Sequence, residues 1–257
     1  MSKLAAEDKF LDLSDYGRTF GRFIANLLKD TSFTPIHVTL LFGLSGLIAS
    51  YCILQNHYFL ASFFIILKSC IDAADGELAR IKSTPSYTGR YLDSIFDIIL
   101  NFIFLTSICY VSKTSIQLTL FAFACVQLQG TLYNYYYVIL RNKSVGGDAT
   151  SKIFEYKSPR ALPGESQKSV DVLYQIYNIV YGTFDKIIHT LDRDAYKAKT
   201  FPNWFMTLVS VYGLGFQLLL IALMLCVNLI EYIIPFLVYY TLLIFVIIGI
   251  RKTILKT

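Results

Sequence analysis

The sequence predicts an all-α integral membrane protein, and three observations support this fold class. Hydrophobic residues make up 55% of the 257 residues, whereas charged residues make up only 16%. The apolar residues form stretches near the length of about 20 residues that a helix needs to cross a bilayer. Lysine and arginine are concentrated in the connections on one side of those stretches. We therefore expect six transmembrane helices, an N-terminal interfacial helix and a helical insertion between spans four and five.

The first segment, residues 8–30, has the pattern of an amphipathic helix at a membrane interface. Phe20, Phe23 and Leu27 belong to an apolar stripe, and basic residues such as Arg22 lie off that stripe. A helix of this composition packed on the protein itself is the alternative interpretation.

Six apolar spans follow, and all of residues 1–257 are predicted to form one membrane domain. The spans are placed at 35–54, 58–75, 92–111, 115–139, 204–227 and 230–250, so that residues 35–140 hold the first four spans and residues 204–250 the last two. Of the 23 lysine and arginine residues, the links on one side hold Lys113 alone, Lys68 lies inside span two, and the rest lie on the other side. The positive-inside rule therefore predicts that both termini and residues 72–97 are cytoplasmic.

The connection between spans four and five, residues 141–203, is a long insertion that we expect on the cytoplasmic side. Its first part is rich in Gly, Ser, Pro and Lys, which indicates a loop. Its second part has apolar residues at alternating steps of three and four, which predicts a helix with an apolar stripe. The stripe consists of Val170, Leu173, Tyr177, Val180, Phe184, Ile187 and Leu191. This pattern leaves open whether the helix lies on the membrane, covers a site or pairs with a second copy.

The candidate site is a polar stretch at the end of span two and the start of span three. Its first half places Asp72, Asp75, Gly76 and Ala79 on one face of a helix. Asp93 and Asp97 share one face of a second helix. Carboxylates that converge beside a membrane need compensating charge, and aspartate oxygens suit hard divalent cations. Four such carboxylates balance two Mg²⁺ or Mn²⁺ ions.

The residues around these aspartates indicate a phosphorylated ligand. Gly76 and Ala79 have no bulky side chain, so a ligand can approach the backbone there, and Arg80 adds a fixed cation. Lys68 lies one turn before Asp72, where its amine can reach a diphosphate, pair with Asp72 or extend to the interface. A paired-metal site clamps the attacking and leaving oxygens of a phosphoryl displacement. The pattern therefore favours a diphosphate-containing substrate.

The spacing D-x2-DG-x2-AR-x8-G-x3-D-x3-D, from Asp72 to Asp97, resembles the signature of the CDP-alcohol phosphotransferase family at every fixed position. The resemblance implies a membrane enzyme that exchanges CMP for an alcohol in phospholipid biosynthesis. It implies metal ligation by Asp72, Asp75, Asp93 and Asp97, with Asp97 as the candidate general base. It also implies that Gly76, Ala79, Arg80 and Gly89 bind the CDP-alcohol, and Lys68 is a further candidate for that role. The family usually has an Asn where this chain has Ile36, which removes any contact made by that Asn.

The family resemblance also bears on the partners. It favours CDP-diacylglycerol as the donor and implies an alcohol or lipid acceptor and a homodimer within the membrane lipids. The alternative is an enzyme that transfers the headgroup of CDP-choline or CDP-ethanolamine to a diacylglycerol. Nucleic acid is not expected as a partner, because the basic residues follow membrane topology.

Two other classes of membrane protein also place aspartates beside apolar helices. A prenyltransferase would hold a prenyl diphosphate through Mg²⁺ and release pyrophosphate. An ion-coupled transporter would use the aspartates for ion flux without breaking a bond. Release of CMP distinguishes the CDP-alcohol enzyme from both.

Overall fold

The computed structural model describes residue 4, residues 8–143, residue 155, residues 157–198 and residues 201–255. Regular secondary structure in these residues is entirely helical, which confirms the all-α prediction. The α-helices are α1 (Arg18–Leu28), α2 (Pro35–Leu54), α3 (Tyr58–Ile81), α4 (Tyr87–Ser112), α5 (Ile116–Lys143), α6 (Gln167–Leu191), α7 (Asn203–Val209), α8 (Leu214–Cys226), α9 (Ile230–Tyr240) and α10 (Leu243–Ile254). Single 3-10 turns occur at Leu13–Asp15, Ala195–Lys197 and Ser210–Tyr212.

Local sequence explains where the helices near the candidate site begin. At the start of α2, the Thr34 hydroxyl accepts from the His37 backbone N–H, and His37 Nδ1 accepts from the Thr34 N–H at 3.1 Å. Pro35 occupies the first turn, where no intrahelical N–H bond is lost. At the start of α4, Ser86 Oγ accepts from the Gly89 N–H at 2.8 Å. Caps of this kind fix the first turns of both helices.

Short turns join consecutive helices into antiparallel pairs. The residues that follow α2, α4 and α8 adopt left-handed backbone conformations, which end a helix and reverse the chain. They are Asn56, Lys113 and Asn228, with φ of 61°, 58° and 59°. Because α3 returns from the first turn and α4 runs toward the second, the aspartate stretch lies at the opposite end of the bundle.

In the described part of the chain, four helices are long and apolar enough to cross a membrane. They are Pro35–Leu54, Tyr87–Ser112, Ile116–Lys143 and Ile230–Ile254, the last made of α9 and α10. The pair α7 and α8 is bent by 54° and would make a fifth span if it crosses as one unit. Helix α3 is not among them, because its second half carries the charged motif. These helices fit a multi-pass membrane protein, while the count of six spans and their orientation stay predictions.

The N-terminal helix is shorter than predicted, since the expected segment 8–30 contains α1 only from Arg18 to Leu28. Its glycine face packs closely on α3. A Cβ added at Gly21 would lie 2.9 Å from backbone atoms of Ala73 and Ala74, so only glycine permits this approach. Phe20 and Phe23, by contrast, are 49% and 60% exposed. The helix therefore packs on protein through small residues and turns its aromatic side chains outward.

The insertion contains α6, as predicted, packed against α4 and α5. Val170 of the predicted stripe is fully buried, but Ile187 is 40% exposed and does not belong to the packed face. Of the predicted loop before α6, residues 144–154 and residue 156 lie outside the described residues, residues 141–143 belong to α5, and residues 157–166 contain no helix.

Buried apolar side chains form two main clusters that share α5. One joins α2, α3, α4, α5, α8 and α9, and the other joins α5, α6, α7 and α10. Helix α2 packs against both α3 and α4 in the first cluster. This packing fixes the two motif-bearing helices relative to one another.

Candidate active site

Three aspartates from α3 and α4 converge at one end of the bundle. One carboxylate oxygen from each of Asp72, Asp75 and Asp93 lies within 4.8 Å of the other two. The three residues are partly buried, so water screens their charges only in part. Oxygen ligands at such separations suit a hard divalent cation. The group can therefore hold a metal ion.

Asp93 provides a test of whether a cation fits this place. Its Oδ1 is buried and, within the described part of the chain, accepts no hydrogen bond. Leaving a buried polar group without a partner costs about 1–3 kcal/mol, and more when the group is charged. A divalent cation bound by the three carboxylates would supply the missing partner. The donor set and the unpartnered oxygen both fit Mg²⁺ or Mn²⁺.

Asp75 is oriented by a hydroxyl from α2. Thr39 Oγ1 donates to Asp75 Oδ2 at 2.7 Å and lies 3.2 Å from the Pro35 carbonyl of its own helix. Thr39 is fully buried, so this hydroxyl has a fixed place. The sequence prediction did not include Thr39, although it follows Pro35 by one helical turn. The sequence places Thr39 on one face of α2, but it does not show that this face contacts α3.

Lys68 lies between two of the motif aspartates. Its Nζ donates to Asp72 Oδ2 at 2.8 Å and to Asp97 Oδ1. The side chain is 1% exposed, and Nζ lies 4.6 Å from the centre of the Phe42 ring. Of the alternatives drawn from the sequence, the structure shows pairing with Asp72 and excludes extension to the interface. Asp97 is outside the group of three and is bound to Lys68 instead.

Arg80 is oriented by an acidic residue within the motif. Its Nη2 lies 3.0 Å from Glu77 Oε1, while its Nε is buried without a partner among the described residues. Glu77 also lies 3.5 Å from Arg22 and 3.8 Å from Arg18 of the N-terminal helix. Sequence reasoning missed Glu77, whose position three residues before Arg80 was the available signal. Arg18 and Arg22 of α1 thus help to neutralise the charge of Glu77, the residue that orients Arg80.

The small motif residues lie on the same two helices as the aspartates. A Cβ added at Gly76 would lie 3.6 Å from the terminal nitrogens of Arg80, which is ordinary contact. At Gly89 an added Cβ would lie 3.3 Å from Ser86 Oγ, closer than usual. Ala79 is partly buried on α3, and its carbonyl accepts from the Thr84 N–H at 3.0 Å. Their part in binding a CDP-alcohol stays a prediction.

The N-terminus of α4 is capped by an acid from the insertion. Glu165 accepts from Ser86 Oγ at 2.8 Å and from the backbone N–H groups of Tyr87 and Thr88 at 3.1 and 2.7 Å. Burial alone would raise the pKa of Glu165, but the hydrogen bonds from Thr88, Ser86 and Tyr87 lower it below its ordinary value. A carboxylate here also complements the positive end of the helix dipole. Nothing in the local sequence linked Glu165 to α4.

Two further contacts join the insertion to the first half of α4. The Glu155 carboxylate accepts hydrogen bonds from Arg90 Nη2 and from the Tyr91 hydroxyl, both at 2.5 Å. The Tyr181 hydroxyl of α6 donates to the Ser94 carbonyl at 2.9 Å. Because Ser94 follows Asp93 directly, the insertion holds α4 at the position of the aspartates.

Comparison with known families decides the class of this site. The family model of the CDP-alcohol phosphatidyltransferases matches residues 32–163. The chain belongs to this family. The matched region begins just before α2 and contains Thr39, Lys68 and every aspartate of the motif. No curated protein matched the chain.

Membership in the family confirms the resemblance drawn from the motif and establishes the chain as a transferase of phosphate-containing groups. Members of the family are generally dependent on divalent metal. The reaction class supported is transfer of a phospho-alcohol unit in phospholipid synthesis.

Proposed function

We propose that this protein is a divalent-metal-dependent membrane transferase that moves a phospho-alcohol unit from a CDP-alcohol to an acceptor hydroxyl and releases CMP. The observation that carries the proposal is the convergence of Asp72, Asp75 and Asp93 oxygens within 4.8 Å. The unpartnered oxygen of Asp93 supports it, because a cation would satisfy that oxygen. These three residues would hold the two ions expected, Mg²⁺ or Mn²⁺, with Asp97 as a further ligand or as the base.

The diphosphate would lie against the open face of α3. When bound, the ions would neutralise phosphate oxygens and stabilise charge on the leaving group. Arg80, with a buried Nε that has no partner in the described chain, would donate to the same phosphates. Gly76 and Ala79 keep the adjacent backbone accessible, and Gly89 does so on α4. Lys68 belongs to the site through Asp72 and Asp97, and its direct contact with the diphosphate is the less favoured role.

Asp97 would act as the general base. It takes the proton of the acceptor hydroxyl while that oxygen attacks the phosphorus distal to cytidine, and the bond from this phosphorus to the CMP oxygen breaks. Lys68 holds Asp97 Oδ1, which leaves Oδ2 to receive the proton. A carboxylate is a weak base for an alcohol. The loose transition state usual in phosphoryl transfer reduces the demand for a strong base, and it does so less for the diester phosphorus of a CDP-alcohol.

The identity of the donor and the arrangement in the membrane are finer parts of the proposal. We favour CDP-diacylglycerol, with CDP-choline or CDP-ethanolamine and diacylglycerol as the alternative pair. The interiors of spans three, five and six contain no lysine or arginine, which disfavours a phosphorylated acceptor held deep in the bundle. By the positive-inside rule the site faces the cytoplasm, as do both termini. A homodimer is expected from the family.

The proposal is tested by measuring CMP release from the purified protein in lipid bilayers with Mn²⁺ or Mg²⁺. CDP-diacylglycerol with a panel of polar alcohols is compared with CDP-choline and CDP-ethanolamine plus diacylglycerol. We expect CMP from one donor class, and in Asp97→Asn a loss of about 10²- to 10⁴-fold in kcat. Asp30→Asn is the matched control, because the Asp30 side chain is 86% exposed and lies outside the motif.

The two alternatives are tested on the same purified protein, with a prenyl diphosphate as substrate and with a measurement of ion flux. Pyrophosphate released from a prenyl diphosphate without CMP would support a prenyltransferase. Aspartate-dependent ion flux without bond cleavage would support a transporter. Full turnover by Asp97→Asn, with CMP still released, would exclude Asp97 as the base while leaving the reaction class intact.

A further inference from the structure

Helix α6 of the insertion has two apolar faces, and only one of them packs on the protein. The inner face includes Val170 and Ile188, both fully buried. The outer face was not predicted from the sequence. Its residues are Val172, Ile176, Ile179 and Ile187, which are 48%, 39%, 76% and 40% exposed. Their spacing places them on one side of the helix.

The charges of α6 are divided between the same two faces. The exposed charged side chains of α6 are Lys168 and Lys186, which are separated by five helical turns and so lie on the same edge of the outer face. The acids are turned away from it. Asp171 accepts from Ser158 and Gln167 at 2.6 and 2.8 Å, and Asp185 is partly buried. The outer face therefore combines an apolar row with positive charge only.

The ends of α6 are fixed to helices that can cross a membrane. Near its start, Glu165 caps α4, as described above. Just after its end, Asp192 accepts from the Tyr135 and Tyr136 hydroxyls of α5, through its carbonyl at 3.0 Å and its Oδ2 at 2.7 Å. Asp192 Oδ2 also accepts from Arg251 Nε of α10 at 2.6 Å. Helix α6 thus packs along the sides of α4 and α5 near the end of the bundle that carries the aspartates, with its outer face directed away from these helices.

We propose that α6 is an in-plane docking helix for an anionic lipid surface, namely that of the bilayer in which the protein resides. Val172, Ile176 and Ile179 enter the boundary between headgroups and acyl chains, and the two lysines meet lipid phosphates. This surface goes beyond the transferase activity and does not depend on the identity of its substrates.

Charge argues against a second copy of the chain as the occupant of this face. In a symmetric pair the same surface meets itself. The outer faces of two α6 helices would then bring lysines together without an exposed acid on either helix face to balance them. Anionic lipid provides the opposite charge along the whole helix. The lipid surface is therefore the occupant that the exposed residues favour.

The test uses tryptophan fluorescence of the full-length protein in bilayers. Trp204, the single tryptophan of the chain, is first replaced by Phe. Ile179→Trp then reports on the outer face, and Asn178→Trp is the matched control, because Asn178 is exposed but turned by about 100° around the helix. Each variant is measured with brominated lipid and with aqueous acrylamide, in neutral bilayers and in bilayers that contain an anionic lipid.

For Ile179→Trp we expect blue-shifted emission, quenching by brominated lipid and shielding from acrylamide, all stronger with the anionic lipid. Asn178→Trp should show the reverse preference. Adding Lys168→Gln and Lys186→Gln should remove the response to anionic lipid, since each lysine near such a surface contributes about fivefold to partitioning. Acrylamide quenching of Ile179→Trp without quenching by lipid would overturn the proposal. Disulfide cross-linking of Ile179→Cys between copies would also overturn it, by identifying the face as a protein interface.

Discussion

Two groups of carboxylates surround the first half of α4, and the fold satisfies only one of them. Glu165 and Glu155 of the insertion receive hydrogen bonds from Ser86, Thr88 and Tyr91, among others. Asp93, on the same helix, has a buried oxygen without a donor in the described chain and lies beside Asp72 and Asp75. Satisfied carboxylates stabilise a fold, whereas converging unsatisfied ones destabilise it until a cation joins them. The insertion acids therefore hold α4 in place, and the aspartates form the ligand site.

The protein compensates the aspartate group only in part. Lys68 binds Asp72 and Asp97, and Thr39 donates to Asp75. Asp93 is left as the residue whose charge depends most on a bound cation. Functional sites commonly retain such groups, because groups that activity requires can lower the stability of the fold.

Replacing Asp93 tests this difference most directly. For Asp93→Asn we expect metal-dependent CMP release to fall at least about 10³-fold, or about 4 kcal/mol, because one metal ligand is lost. Without metal, the thermal unfolding temperature should stay the same or rise, because one of three adjacent carboxylate charges is gone. A large drop in unfolding temperature, with activity equal to that of Asp30→Asn, would show that Asp93 is structural.

Replacing Lys68 tests whether a bound metal ion can neutralise the carboxylates that Lys68 otherwise neutralises. Lys68→Met leaves Asp72 and Asp97 without their buried partner, and breaking such a pair costs about 3 kcal/mol of unfolding free energy. The loss should be smaller with saturating Mn²⁺, because the ion supplies positive charge near the same carboxylates. Denaturant unfolding with and without Mn²⁺ measures this. Lys29→Met, at a side chain 47% exposed, should change neither value. An equal loss of unfolding free energy with and without Mn²⁺ would show that Lys68 does not act on the metal site.

The hydroxyl of Thr39 should have a smaller effect, on metal affinity alone. Thr39→Val keeps the shape but removes the donor to Asp75, and loss of a contact that orients a ligand typically weakens metal binding about tenfold. The Mn²⁺ concentration for half-maximal CMP release should rise while kcat changes little. Thr106→Val is the control, because among the described residues the Thr106 hydroxyl donates only to carbonyls of its own helix, Phe102 and Ile103. A change in kcat instead would show that Thr39 takes part in the chemical step.

The sequence was sufficient for the parts of this site that follow from helical periodicity. Asp72 and Asp75 share a helix face because they are one turn apart, and the G-x3-D-x3-D spacing does the same for Asp93 and Asp97. The family of the chain and the use of divalent metal in that family followed from this pattern. Periodicity also predicted α6 and its packed stripe, except for Ile187, which is exposed.

Contacts between distant segments could not be predicted in this way. Thr39 meets Asp75 from another helix, and Glu165 reaches α4 from 77 residues along the chain. Periodicity states which residues share a face, but not how a helix is rotated against its neighbours. For the same reason, the outer apolar row of α6 around Ile179 was missed once the inner row had been assigned. The close packing of α1 on α3, which the absence of a side chain at Gly21 permits, is another contact of this kind.

Glu165→Gln tests the insertion carboxylates, whose hydrogen bonds the fold satisfies, and we expect it to have the smallest effect. A glutamine offers one acceptor oxygen in place of two, so we expect a loss of about 1 kcal/mol in unfolding free energy at neutral pH and no change in Mn²⁺ affinity. Because the folded-state pKa of Glu165 is lowered, its contribution is complete above the unfolded pKa of about 4.3 and is lost as pH falls through the folded value. The difference between the wild-type protein and Glu165→Gln should therefore vanish in acid. If Glu165→Gln instead weakened Mn²⁺ binding as Asp93→Asn does, the two carboxylate groups would not be independent, and the insertion would belong to the metal site.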